Sequence, residues 1–286
     1  MRIPQSQFKS LLAVPVFLFL ALSLTVLGAA GAGPKKGGGG HQKPGSAWRE
    51  DFSNSRFSPK FWVIANGPAP GYVPGDHLGV YDPLHVSVVS DSSGSYLQLL
   101  LTQEVGTVDG NTAGTVARGA MLYTTATYGY GTYEMRMRMS STSSTPNGRG
   151  VSVSGTVSAG FLYVNNSETE IDFEFSGLDP NTLYMVNWLN PNPSADPDLT
   201  DRTYDYLYPF TVSTAFHDYK FVWQAGRIDF YVDGILEATH TTNVPTAPAY
   251  FMINHWGTDS PYWGGTARVG TDCYFYVDWV QYTPLP

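Results

Sequence analysis

The sequence predicts an all-β domain, a single sandwich or barrel, and three observations favour that class. Of the 286 residues, 42% are hydrophobic and 14% aromatic, enough for a large core, and 30 glycines and 20 prolines are typical of a turn-rich chain. Short alternating or apolar runs recur about every ten residues between clusters of Gly, Pro, Asn and Ser. No stretch after residue 47 shows the apolar period of a helix.

The N-terminal part of the chain differs in composition from the rest. We interpret residues 1–32 as an export signal, because two basic residues precede an apolar run from Leu11 to Leu27 that ends in small residues. Residues 33–46 are predicted to be a flexible Gly/Pro-rich spacer, and residues 47–286 the folded domain. An uncleaved anchor is the alternative for the signal. With the signal removed, we expect no stable association with a membrane.

Charge and cysteine content exclude several classes of function. The formal net charge is −8 and no basic run exists, so nucleic acid would be repelled and a neutral or basic ligand is favoured. Cys273 is the only cysteine, which predicts a domain that holds together without a disulfide, with Cys273 as a small apolar strand residue. The six histidines show no metal-ligand spacing. We expect a monomer.

Predicted strands follow one another along the domain. Residues 85–101 are predicted to form two strands around a Ser-Gly turn, and residues 219–239 three strands around two Gly-containing turns. Residues 250–256 and 273–282 show the same strand pattern.

Residues 128–140 alternate strictly. Tyr133 and the three following methionines fall on one side, and Glu134, Arg136 and Arg138 fall on the other. One face is therefore predicted to pack and the other to be solvated.

The stretch SETEIDFEFSG, residues 167–177, carries acids at alternate positions. Strand alternation places Ile171, Phe173 and Phe175 in the core, and four acids on the opposite face: Glu168, Glu170, Asp172 and Glu174. Adjacent like charges destabilise a strand, and no Lys or Arg in the segment offsets them, so a solvated face explains the pattern poorly. A cation site is a second explanation, although calcium loops normally use turns and backbone carbonyls.

A pair of carboxyl groups explains the spacing in chemical terms. Glu170 and Glu174 lie about 13 Å apart at Cα in an extended strand, and leaning side chains would bring their carboxyls to about 5 to 7 Å. A retaining glycosidase needs about 5 to 5.5 Å between a nucleophile and a proton donor. Asp172, between them, would hydrogen-bond to one carboxyl and hold the two in distinct protonation states. The residues alone do not distinguish the two glutamates.

The segment Glu170–Glu174 resembles the E-[I/L]-D-x-E signature of glycoside hydrolase family 16, which comprises β-glucanases and transglycosylases. Residues 128–139 resemble the strand upstream of that signature, residues 216–257 the downstream half of bacterial lichenases, and residues 276–284 their last strand. The similarity spans most of residues 115–284. It implies a concanavalin-like jelly-roll β-sandwich with a concave substrate cleft.

The resemblance also implies roles for the three acids. Glu170 matches the family's nucleophile, Glu174 its acid/base and Asp172 the supporting acid. We therefore expect a secreted retaining endo-glycosidase whose polysaccharide substrate is a β-glucan, with mixed 1,3-1,4 linkages, and no cofactor for catalysis. The alternatives are a 1,3-glucanase, a galactan hydrolase, a transglycosylase, or a glucan-binding lectin without catalysis.

Substrate-binding residues are expected from the same resemblance. Trp256 matches a cleft tryptophan near the scissile bond, and Glu134 a substrate-binding glutamate, with a surface ion pair as the alternative. Asn187 and Trp188 match a strand of polar and aromatic groove contacts, with core packing as the alternative for Trp188.

Further candidates are Arg118 and His255, the histidine nearest the predicted groove. Asp278 matches an aspartate that holds a structural calcium ion in many family members. The chain departs from lichenases at residues 167–169 and in the long acidic loop 190–209, and both border the predicted cleft. The resemblance therefore predicts the chemistry and leaves the linkage specificity open.

Overall fold

The computed structural model of the chain describes residues 45–53, 57–110 and 112–286. The predicted export signal lies outside these ranges, as does the predicted spacer apart from its last two residues. No helix in the described ranges is long and apolar enough to cross a membrane.

The described part of the chain is almost entirely β-structure, as predicted. Its helices are two single 3₁₀ turns, Pro83–His85 and Leu199–Asp201. Seventeen strands, joined by turns and loops, account for the regular structure: β1 (Trp48–Glu50), β2 (Trp62–Ile64), β3 (Gly67–Pro68), β4 (His77–Tyr81), β5 (Val86–Ser90), β6 (Ser95–Val108), β7 (Thr112–Tyr128), β8 (Gly131–Ser141), β9 (Thr156–Val164), β10 (Thr169–Ser176), β11 (Leu183–Trp188), β12 (Arg202–Leu207), β13 (His217–Gln224), β14 (Arg227–Val232), β15 (Ile235–His240), β16 (Ala249–Gly257) and β17 (Cys273–Pro284).

Two antiparallel layers form a sandwich. Sheet I has the strand order β5–β6–β17–β8–β13–β14–β15, with β1 beside the end of β17. Sheet II has the order β12–β11–β10–β9–β16–β7–β2. The long strands β6 and β7 extend beyond their sheets and pair with each other, which joins the two layers along one side. The predicted sandwich architecture is confirmed.

The predicted strand patterns match the observed elements. The two strands of residues 85–101 are β5 and β6, and the three strands of residues 219–239 are β13, β14 and β15. The turn between β14 and β15 places Asp233 and Gly234 at φ +49° and +81°, as a two-residue hairpin turn of the Asp-Gly kind requires.

Alternation in β8 is confirmed with one correction. Tyr133, Met135 and Met137 are fully buried between the sheets, as predicted. Arg138, predicted to be solvated, is only 1% exposed. Its guanidinium donates to the carbonyl oxygens of Ser213 (2.9 Å), Pro146 (2.8 Å) and Gly148 (2.8 Å), because the loops after β8 and before β13 fold over it.

The core between the sheets is strongly aromatic around strand β10. The Phe173 ring lies 5.3 Å from Tyr219, 5.4 Å from Phe230 and 6.1 Å from Phe221, centroid to centroid. Ile171 and Phe175, on the same side of β10, are also fully buried. Cys273 is buried as predicted, and burial raises the pKa of its thiol to about 12. The inward face of β10 is therefore held rigidly by sheet I.

Replacing Phe173 by Ala should lower the free energy of unfolding by about 3–5 kcal/mol, because it leaves a cavity among three aromatic rings. Urea denaturation followed by fluorescence measures the change. Ile235→Ala is the control, since Ile235 is 63% exposed and its loss should change stability by less than about 0.5 kcal/mol. An equal effect of the two substitutions would contradict this packing.

Candidate active site

Strand β10 presents three acids on one face of sheet II, called here the acid face. Glu170, Asp172 and Glu174 alternate with the buried core residues of the same strand. Asp172 is 4% exposed, and the two glutamates are half-buried. Full ladders with β9 and β11 hold the strand on both edges, so the three carboxyl groups are fixed in a row.

The residues opposite each acid on the neighbouring strands are largely aromatic. Glu170 lies between Tyr163 of β9 and Trp188 of β11. Glu174 lies between Ala159 and Tyr184. Directly opposed residues of an antiparallel sheet point to the same face, so these side chains surround the acids.

A second apolar cluster covers much of the acid face, separate from the core between the sheets. Its buried members are Ala69, Tyr81, Met121, Val157, Ala159, Phe161, Met252 and Trp256. A pocket of about 300 Å³ opens beside it, between β7 and the β2–β3 segment. The acids therefore border a recessed, weakly polar surface on which an elongated ligand could lie.

This environment raises the proton affinity of all three acids. Burial raises the pKa of Glu170 to about 7, against the opposing hydrogen bond from Ser167. Burial raises the pKa of Glu174 to about 8, the negative charge of Glu170 adds to the increase, and Arg202 opposes it. Burial, followed by the charges of both glutamates, raises the pKa of Asp172 well above its ordinary value. The proton affinities of Asp172 and Glu174 therefore depend on the charges of their neighbours in the row.

Ser167 is the hydrogen-bond donor to Glu170. Its hydroxyl donates to Glu170 Oε2 from the last of three successive residues in the left-handed region, with φ of +44°, +53° and +62° at residues 165–167. The Asn190 backbone N–H donates to the Ser167 carbonyl (2.8 Å), and Asn190 Nδ2 donates to the Asn166 carbonyl (2.8 Å). A strained turn, tied to the segment after β11, thus aims this hydroxyl at the acid.

Two of the predicted binding residues lie on the acid face. Trp188 is opposite Glu170 and 9% exposed. Trp256 is 4% exposed, because the segment at Gly71 covers it: a Cβ on Gly71 would lie 3.3 Å from the Trp256 ring and 2.5 Å from the Gly257 carbonyl oxygen. Trp256 therefore packs within the acid face under the segment at Gly71 and offers little ring surface to a ligand.

Asn187 and His255 face the opposite way, which corrects the prediction that they contact a ligand. Asn187 is fully buried, and its amide donates to the Asn243 carbonyl (2.5 Å) and bonds to His240 Nδ1 (2.6 Å). His255 bonds through Nδ1 to the Leu99 carbonyl (2.9 Å), and burial lowers its pKa to about 4. Each precedes an acid-face tryptophan, and no bend interrupts the alternation there.

Glu134 and Arg118 also lie away from the acids, contrary to the prediction. Glu134 belongs to β8 in sheet I and points outward, where it accepts a hydrogen bond from Gln281 Nε2 (3.1 Å). Arg118 lies on the same side of β7 as the core residue Ala120 and pairs with Glu104 (3.1 Å). Glu134 therefore cannot reach a ligand on the acid face, because it lies on the outer side of the other layer.

Asp278 does not fit the calcium ion that the resemblance implies. Arg136 Nε lies 3.3 Å from its carboxylate, and the positive charge of Arg49 also acts on it. A carboxylate already paired with guanidinium groups is a poor cation ligand. No group of three or more His, Cys, Asp or Glu side chains in the described ranges is arranged to hold a metal.

Sequence reasoning missed several residues near the acids. Arg202 of β12 is opposite Trp188, and its guanidinium lies 5.2 Å from that ring and 4.9 Å from the ring of Tyr204. Tyr184 packs edge-on against Trp263 at 5.1 Å. In the sequence, Ser167 stands out only as a position at which this chain differs from the lichenase pattern. The alternating residues of β12 are typical of a strand, but the pairing of that strand with β11 is not visible in the sequence.

Comparisons with known proteins match most of the folded domain. The model of the family described as glycosyl hydrolases family 16 matches residues 81–281. The beta-glucanase of Paenibacillus polymyxa is 35% identical over 165 residues, which cover 56% of this chain and 62% of that protein. The beta-glucanase of Bacillus subtilis (strain 168) is 34% identical over 162 residues, covering 55% and 60%. The matched region is thus less than two thirds of the length of these relatives.

The fold agrees as well. The structure of Bacillus licheniformis beta-glucanase aligns with 85% of this chain and 100% of its own, at a TM-score of 0.64 and 25% sequence identity. The jelly-roll sandwich expected from the sequence is therefore confirmed.

The buried acids should make stability fall as pH rises. Unfolded glutamates lose their protons near 4.5, whereas folded Glu170 and Glu174 keep theirs to about 7 and about 8, so the folded state binds more protons in between. Between pH 5 and 8 the free energy of unfolding should drop by at least about 1 kcal/mol. Urea denaturation of wild type and of a Glu170→Gln, Glu174→Gln double variant measures it.

The double variant should lose less stability over this range, whereas Glu168→Gln, which removes the same kind of charge outside the row, should behave like wild type. Identical pH dependence of wild type and the double variant would contradict the raised proton affinities.

Proposed function

Because the chain belongs to glycosyl hydrolase family 16, we propose that it is a retaining endo-glycosidase that hydrolyses a β-glucan, with mixed 1,3-1,4 linkages as the expected substrate. The observation that carries the proposal is the row of three carboxyl groups with raised proton affinity on an apolar face. The two sequence relatives named beta-glucanase support the substrate class. The export signal predicted at residues 1–32 fits an activity on polymers outside the cell.

Glu170 is assigned as the nucleophile. A nucleophile must be ionised, and Glu170 is the first glutamate of the family signature, the position that the resemblance assigns to the nucleophile. The Ser167 hydrogen bond favours the ionised form and directs one oxygen, which leaves the other free to attack the anomeric carbon. Attack forms a covalent glycosyl-enzyme and releases the leaving-group oxygen.

Glu174 is assigned as the acid and then the base. With a pKa of about 8 it holds a proton at neutral pH and can protonate the leaving oxygen. The charge of Glu170 contributes to that pKa, and the charge disappears when Glu170 becomes an ester. The pKa of Glu174 therefore falls in the intermediate, so that Glu174 can take a proton from the water that hydrolyses it.

Asp172 is assigned a supporting role between them. Burial, followed by the negative charge beside it, raises the pKa of Asp172 well above its ordinary value, which favours the protonated form. A protonated Asp172 can donate a hydrogen bond to Glu170 and to the ester formed there. Since the two glutamates carry out both steps, the mechanism needs no cofactor.

Glu170→Gln and Glu174→Gln should each reduce kcat on mixed-linkage 1,3-1,4-glucan by at least about 10³-fold, because each removes one of the two chemical groups. Reducing-end release from a panel of mixed-linkage glucan, 1,3-glucan, galactan and xyloglucan measures activity and linkage preference. Glu134→Gln is the matched control, since Glu134 lies outward on sheet I.

Unchanged hydrolysis in either site variant would overturn the assignment. Wild type that binds a glucan without cleaving it would indicate a lectin, and longer products on addition of acceptor oligosaccharide would indicate a transglycosylase. Proton NMR of the first-formed product should show retention at the anomeric carbon.

Ser167→Ala should move the acidic limb of the kcat/KM profile to higher pH, because the lost hydrogen bond lets the pKa of Glu170 rise above about 7. The loss of kcat/KM should be about three- to tenfold greater at pH 6 than at pH 8. Ser140→Ala is the control, since Ser140 bonds to His255 in the interior. A loss from Ser167→Ala that is uniform across pH would show only a structural role.

A further inference from the structure

We propose that Arg202, Tyr204 and Tyr206 form a separate carbohydrate-binding ledge at the edge of sheet II, which binds neutral glucose units of the polymer beyond the cleavage site. The name β12 ledge is used below for these three residues. The inference rests on the proposed function for the identity of the ligand, and on the geometry of β12 for the site itself.

The strand register places the ledge on the acid face. Tyr204 pairs with Val186, which pairs with Asp172, and Tyr206 pairs with Tyr184, which pairs with Glu174. Directly opposed residues share a face, so both tyrosines point to the same side as the acids. Two strand spacings separate β12 from β10, or about 10 Å. A polymer that crosses the strands at the acids therefore passes over the ledge next.

Exposure distinguishes the ledge from the other aromatic residues of this face. Tyr204 and Tyr206 are 44% and 46% exposed, whereas Trp188 and Trp256 are 9% and 4% exposed. The two tryptophans are covered by their own neighbours and offer little ring surface. The two tyrosines present open rings, and an aromatic ring is the surface that packs against the apolar face of a sugar.

Arg202 gives the ledge its polar contact. Its guanidinium lies over the rings of Trp188 and Tyr204, at 5.2 and 4.9 Å, which holds it flat along the acid face. Its Nε–H is buried and has no hydrogen-bond partner in the part of the chain that the structure describes. The Arg202 side chain as a whole is only half-buried, so its guanidinium can donate to a hydroxyl of a sugar that lies on the acid face.

The surrounding charge favours a neutral ligand over an anionic one. Asp198 and Asp201 cap the 3₁₀ turn that leads directly into Arg202, and Asp205 lies on the other side of β12. With a net charge of −8 on the chain, one arginine among these carboxylates does not attract a polyanion. Hydroxyl groups of an uncharged glucan are the acceptors that fit.

The ledge belongs to the segment 190–209, in which this chain departs from the lichenase pattern. The acids and the strand that carries them follow the signature, whereas the ledge does not. We therefore infer that Tyr204 and Tyr206 adjust how much polymer this protein contacts, while Arg202 also lowers the pKa of Glu174.

The test is binding by isothermal titration calorimetry in the Glu170→Gln background, with a series of mixed-linkage gluco-oligosaccharides of increasing length. Tyr204→Ala and Tyr206→Ala should each weaken binding of the longest oligosaccharides about three- to tenfold. Binding of the shortest ligands that still occupy the acid row should stay unchanged. Arg202→Met should also weaken binding of the longest oligosaccharides. Tyr231→Ala, a tyrosine of sheet I, is the matched control and should not change binding.

The ledge proposal would be overturned if no ledge variant changed the affinity, or if Tyr204→Ala and Tyr206→Ala weakened binding equally for oligosaccharides of all lengths. Tighter binding of a carboxymethylated glucan than of the neutral polymer would overturn the assignment of a neutral ligand. Failure of the proposed function would be observed differently. The wild type would not hydrolyse glucan, yet it could still bind oligosaccharides with the length dependence described. Conversely, if Tyr204→Ala hydrolysed the polymer normally and with an unchanged KM, the ledge proposal would be contradicted and the proposed function would stand.

Discussion

Burial of the carboxyl groups of Glu170, Asp172 and Glu174 in one row, together with the charge between them, is the constraint on which the site depends. Three carboxyl groups on one strand face cannot all be ionised when burial and mutual charge both favour the protonated forms. The strand tolerates them because its other face is locked into an aromatic core through Phe173, and because β9 and β11 pair with it along both edges. The packing of the interior thus stabilises a strand whose row of carboxyl groups is unfavourable by itself. The raised pKa values of that row are what allow it to transfer protons.

The environment divides the roles of two chemically identical glutamates. Ser167 donates to Glu170 and favours its ionised form, while burial and the charge of Glu170 keep Glu174 protonated. Neither effect is local to the signature alone. The position of Ser167 depends on a left-handed turn, which a hydrogen bond from the Asn190 backbone N–H stabilises. The positive charge of Arg202, on the edge strand β12, lowers the pKa of Glu174. Small differences in hydrogen bonding and burial therefore set the order of proton transfer.

The segment after β11 connects chemistry and recognition. Asn190 fixes the turn that carries Ser167, and further along the same segment Arg202, Tyr204 and Tyr206 line the edge of the acid face. A change in this segment would alter both the polymer contacts and the titration of the acids. The central strand, in contrast, is bound by its ladders and its core side chains and leaves little room for variation.

The sequence by itself determined the all-β fold class, most of the strands, and the division of β10 into a core face and an acid face, because a period of two residues is a local property of a strand. The resemblance it carried to a known family was also sufficient for the jelly-roll architecture. Tertiary structure alone decided which face of each other strand meets the acids. Asn187 and His255 each lie one residue from an acid-face tryptophan and point inward, Glu134 belongs to the opposite sheet, and Arg202 reaches the acids only through its pairing with β11. The physical reason is that alternation specifies two sides of a strand, whereas the neighbour on each side depends on hydrogen-bonded pairing between segments that are distant in the chain.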